Sequence, residues 1–85
     1  MTVLLHFVAS WAVTTCAPHR QEVVAAAAQL GLEVEEVDVD YDPDRAQAFG
    51  VSTVPAVALD SEPGAVVVGP VPSDELVARL QPLLG

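Results

Sequence analysis

Lysine is missing from this 85-residue chain, and only three basic side chains, Arg20, Arg45 and Arg79, stand against twelve acidic ones. Without lysine there is no P-loop lysine and no Schiff-base lysine. The formal charge of −9 and three scattered arginines leave nothing to neutralise phosphates, which excludes a nucleic-acid partner and disfavours an anionic membrane surface. Cysteine occurs once, at Cys16, so no internal disulfide can form. A lone thiol fits a reducing, cytoplasmic compartment better than an oxidising one. No apolar run approaches the roughly 20 residues of a membrane span. The opening "MTVLLHFVASWA" has no basic leading region and is interrupted by His6, unlike a signal peptide. Paired carboxylates, a Ser-His-Asp arrangement and glycine-rich phosphate loops are not found either.

What is present is apolar and regular. The chain is 52% hydrophobic, mostly Val, Ala and Leu, which suits one domain, 1–85, with a modest core. Residues 2–8, "TVLLHFV", read as a buried strand. An Ala-rich helix follows and ends at Gly31, with Val23, Ala27 and Leu30 on one face. Residues 36–40 alternate as a second strand. Asp42 as N-cap, Pro43 at the first helical position and Gly50 as terminator bracket a short helix. A third strand is entered through Pro55, "SEPG" at 61–64 is a turn, and 65–69 form a fourth strand. Ser73 is the expected N-cap of a last helix with Asp74 and Glu75 in its first turn. Leu76, Leu80 and Leu83 are its apolar face, and Pro82 ends or bends it near Gln81. The order β-α-β-α-β-β-α predicts an α/β fold. Its first two strands pair in parallel, its last two form an antiparallel hairpin, and helices flank one mixed four-stranded sheet.

Four segments in this order resemble the thioredoxin family. "HFVASW" is similar to the strand and tryptophan that precede the family's redox motif. "VEEVDVDYDP" is similar to its central strand, "FGVSTVPAVAL" to the segment with its cis-proline, and "VVVGPVPSDELVARL" to its last strand, groove glycine and closing helix. The resemblance spans nearly the whole chain and implies a thioredoxin-like fold in a short form, without the family's first strand and helix. It also implies thiol–disulfide chemistry, which needs two cysteines two residues apart at a helix N-terminus. This chain has no such pair.

Two placements of the lost motif are open. With no gap after Trp11, Ala12 and Thr15 stand where the family has its cysteines, and Cys16 is the next residue. Alternatively "CAPHR" replaces Cys-Gly-Pro-Cys-Lys, with His19 in place of the resolving cysteine, Thr14 or Thr15 as N-cap and Pro18 in the first turn. The first placement keeps the family spacing from Trp11 to Gly31, Asp40 and Pro55, and is favoured. It puts Pro18 deeper in the helix, where a kink is expected unless the first turn is irregular.

The resemblance implies a cis Val54–Pro55 bond and a shallow groove bordered by Trp11, Ala12, Thr15, Val54, Pro55 and Gly69. That groove would take an extended peptide or a thiol ligand. The first expectation is a degenerate family member without dithiol activity, a monomer that binds a protein or small thiol partner there. The alternative is a monothiol oxidoreductase in which Cys16 attacks and His19 tunes it. His19 is otherwise expected to face solvent. His6, in the place of the family's buried carboxylate, is expected in the core on a backbone hydrogen bond. No cofactor is expected, and Cys16, His6 and His19 are not read as a metal site.

Overall fold

The computed structural model describes residues 2–84. Its elements are β1 (Val3–Val8), α1 (Val13–Leu30), β2 (Glu33–Asp38), α2 (Pro43–Ala48), β3 (Ala56–Leu59), β4 (Val67–Val68) and α3 (Ser73–Leu80). A 3-10 turn at Ser10–Ala12 leads into α1, and another at Gln81–Leu84 follows α3. The strands form one sheet in the order β2-β1-β3-β4. β1 runs parallel to β2, β3 is antiparallel to β1, and β4 is antiparallel to β3. The architecture is the mixed four-stranded α/β arrangement expected from the element order.

Strand alternation divides the core. Leu4 on β1 turns to one face with Val57 and Leu59, where Val23, Ala26 and Ala27 of α1 and Leu76 and Leu80 of α3 close over them. Leu5 and Phe7 turn to the other face with Val37, Ala56 and Ala58, covered by Ala46 of α2 and half-buried Phe49. β1 is buried on both faces, which is why it reads as an unbroken apolar run.

Each helix has an identifiable start or stop. α1 ends at Gly31, whose φ of +70° lets its own N–H reach Ala28 O and that of Leu32 reach Ala27 O. This double bond to the last turn is a Schellman motif. α2 starts as expected: Asp42 Oδ1 accepts from Arg45 N–H at 3.3 Å, and Pro43 is the first helical residue.

Several boundaries differ from the sequence reading. β2 begins at Glu33, because its partner register starts at Val3↔Glu33 and the sheet, not the local alternation, sets where pairing begins. β4 shrinks to Val67–Val68, since only these two residues find partners on β3. Ser73 is not the N-cap of α3. It is the first helical residue, and its N–H goes to Glu22 Oε1 of α1 at 2.7 Å. Leu76 and Leu80 are buried, whereas Leu83 lies beyond α3 in the closing 3-10 turn and is exposed. No helix among the described residues is long and apolar enough to cross a membrane.

Candidate functional site

The segment after β1 supplies the helix start that carries Trp11, Ala12, Thr15, Cys16 and His19. Trp11 lies in the 3-10 turn and is 71% exposed. Ala12 is the N-cap of α1, with no side-chain capping bond. Thr14 and Thr15 lie inside the first turn, so neither is the N-cap that the "CAPHR" placement requires. α1 follows directly on the turn that holds Trp11. Pro18 sits inside the helix, which runs on through it. The carbonyl it leaves without a helical N–H donor is that of Thr14, on the exposed side.

Cys16 and His19 both point inward, and His19 does not face solvent. The physical reason is visible in the spacing. Cys16, His19, Val23, Ala27 and Leu30 are three or four residues apart, so they form one continuous stripe. Extending the Val23–Ala27–Leu30 face back towards the N-terminus would have found both.

His6 is fully buried, but its partner is a side chain rather than the backbone. His19 Nδ1 lies 3.2 Å from His6 Nε2, with ring centroids 5.1 Å apart in an edge-on arrangement. His19 Nε2 lies 3.0 Å from Val71 O and 3.1 Å from Val71 N. At the other end, His6 Nδ1 has no hydrogen-bond partner, and Glu36 Oε2 is 3.8 Å from it. Glu36 is engaged from outside by Arg20, which donates from both Nε and Nη. Burial first, and the nearby His19 second, push the His6 imidazole down to about 4, against a smaller pull upward from Glu36. Burial also lowers His19, partly offset by its bond to the Val71 backbone.

Two clefts flank the N-terminal half of α1. The larger, about 440 Å³, is lined by Thr15, Pro18, His19, Glu22 and the Pro70–Pro72 segment. The smaller, about 190 Å³, includes Ala9, Val13, Cys16, Arg20, Glu36 and Asp38 in its walls. Cys16 thus borders one cleft and His19 the other. The two imidazoles are turned on each other, and no group of three or more metal-ligating side chains occurs among the described residues.

Val54 and Pro55 are not among the residues that wall these clefts. The Val54–Pro55 bond is cis and Pro55 is buried. Gly69 N–H donates to Pro55 O at 2.9 Å, which ties the β3 entry to the end of β4. Gly69 has φ of +98°, a backbone that side chains rarely adopt. The structure therefore joins Pro55 to Gly69 and puts Thr15 with His19, while Cys16 opens towards β1 and β2.

No family model matches the sequence, and no curated protein matches it. Solved structures do. An N21Q mutant thioredoxin from Halobacterium salinarum NRC-1 superposes with a TM-score of 0.77 at 32% identity, over 94% of this chain and 73% of that one. The thioredoxin NaTrxh from Nicotiana alata matches at 0.75 and 27% identity, over 95% and 71%. A thioredoxin-2 described as a component of the malaria parasite protein secretion machinery matches at 0.77 and 23% identity, over 96% and 82%.

Proposed function

Since the chain belongs to the thioredoxin family, we propose that it is a member without dithiol redox activity, a partner- or peptide-binding module that uses the groove at Pro55. The observation that carries this is the single cysteine. A dithiol cycle needs one thiolate to attack and a second to resolve the mixed disulfide, and one thiol cannot do both. In the gapless placement Ala12 and Thr15 occupy the two lost positions, at the N-cap and first turn of α1.

What remains around that helix start can still bind. Trp11 offers a large exposed ring, the kind of side chain that anchors a partner. The loop through Val54 and Pro55 would offer backbone groups to an extended peptide, and Gly69 leaves the opposite border free of a side chain. The proposed occupant is a protein segment or a small thiol, taken by a monomer in a reducing, cytoplasmic setting.

A second reading, a monothiol oxidoreductase, is favoured by one observation: Cys16 lines a cleft that also holds Arg20. A lone thiolate could attack a glutathione mixed disulfide, taking the glutathionyl sulfur as Cys16–S–S–G and releasing the substrate thiol, and a glutathione thiolate could then attack that bond, freeing Cys16 and leaving as oxidised glutathione.

The pH dependence of Cys16 alkylation, measured beside a glutathione-coupled disulfide-reduction assay, separates the two. The binding-module reading expects slow alkylation of the folded protein, as befits a buried thiol, and no turnover. Turnover that disappears in Cys16→Ser would establish the enzyme reading instead.

A further inference from the structure

The buried histidines lie outside the proposed groove, yet they join three parts of the fold. His6 comes from β1 and His19 from α1, and His19 Nε2 meets the backbone of Val71 between β4 and α3. That nitrogen is about equally far from the Val71 N–H and the Val71 carbonyl, and it cannot serve both. Bare, it accepts from the N–H; protonated, it donates to the carbonyl.

The far end of the pair decides which holds when both rings are neutral. His6 Nδ1 is buried without a partner and faces the Glu36 carboxylate at 3.8 Å. A lone pair aimed at an anion is repelled and an N–H is attracted, so Nδ1 carries the proton. His6 Nε2 is then bare and accepts from His19 Nδ1–H. His19 Nε2 is bare in turn and accepts from Val71 N–H. The donors run one way, from Val71 towards Glu36.

We propose that the His6–His19 pair is a proton-operated latch on the Pro70–Pro72 segment. Neutral His19 holds the Val71 N–H. Its imidazolium form donates Nε2–H to the Val71 carbonyl and expels the N–H. The groups around the pair direct the proton to His19. His6 faces Glu36 from β2 and His19 and Arg20 from α1, and Arg20, paired with Glu36, offsets part of the carboxylate's pull while burial and His19 oppose the charge on His6. His19 faces His6 from β1, Glu22 from α1 and the Val71 backbone. Glu22 is an anion, and its hold on Ser73 N–H at 2.7 Å gives the segment a second anchor that release of Val71 does not touch. The change is therefore confined to residues that wall the larger cleft, so acid alters that wall while leaving α3 in place.

The test is nitrogen-15 NMR of the wild-type protein between about pH 7 and about pH 4.5. At neutral pH the His19 Nε2 signal should be that of a bare nitrogen. On acidification the Val71 amide shift should follow His19. Its hydrogen exchange, corrected for the intrinsic pH effect, should quicken about tenfold, the factor for one lost hydrogen bond, while Phe7 and Val57 keep their protection. In His19→Gln the Val71 amide should stay flat over the same range. A proton on His19 Nε2 at neutral pH overturns the latch. So does an unchanged Val71 titration in H19Q, or Phe7 and Val57 opening together with Val71. Should H19Q not fold, the wild-type ring and Val71 signals decide alone. None of these readouts depends on what the Pro55 groove binds.

Discussion

His6 and His19 are the only imidazoles in the chain, and the fold turns one on the other at 3.2 Å. Their burial has a thermodynamic consequence. The folded His6 titrates at about 4, whereas an unfolded histidine takes its proton near 6.5. Below 6.5 the unfolded chain binds more protons, so the contribution to stability is complete above that pH and falls as pH drops towards 4. The full difference is about 3 kcal/mol, and the lowered pKa of His19 acts in the same direction. Glu35, held low by its hydrogen bonds to Arg45, loses its contribution only at more acid pH. Urea midpoints at about pH 7.5 and about pH 5 should therefore differ clearly in wild type and much less in His6→Gln. Equal wild-type midpoints would refute the assignment.

At the scale of elements, α3 shows how a helix start can be legible and its capping group still misread. Ser73, Asp74 and Glu75 mark the place where the helix begins. The oxygen that satisfies the first N–H, however, belongs to Glu22, fifty-one positions away. Glu22→Ala leaves that N–H without its acceptor and should cost about 1 kcal/mol in a denaturation experiment. Ser73→Ala, which removes no capping bond, should stay within about 0.5 kcal/mol. The reverse ranking would return the cap to Ser73. α2 is the contrasting case: Asp42 caps it from within the local sequence, and sequence and structure agree there.

Across the whole molecule, charge is one-sided and its few cations are spent. Arg20 pairs with Glu36, Arg45 with Glu35 and Arg79 with Glu75. Exposed pairs of this kind contribute little individually, and the remaining acids repel one another in a chain of formal charge −9. Screening shortens that repulsion to a few ångströms at high salt. Adding sodium chloride from about 0.01 M to about 0.5 M should raise the melting temperature at neutral pH. A fall would mean that the three ion pairs outweigh the net repulsion.

The sequence by itself determined what depends on neighbours along the chain. It showed the apolar β1, the Gly31 stop, the Asp42–Pro43 start and the order of elements that yields a mixed sheet. Each follows from local steric preference or a periodicity of 2 or 3.6 residues. It also determined that one thiol must act without an internal partner. Tertiary structure alone decided what depends on pairing between distant segments. The register that begins β2 at Glu33, the two-residue length of β4 and the Glu22 cap on α3 belong here. So does the meeting of His6, His19 and Val71, residues 13 and 52 positions apart. By helical spacing His19 falls on the inward stripe of Val23 and Ala27, but the spacing does not show what it meets there. It is buried because packing α1 on the sheet turns its inward stripe towards the strand that carries His6, and a buried imidazole must find its hydrogen-bond partners where the fold provides them.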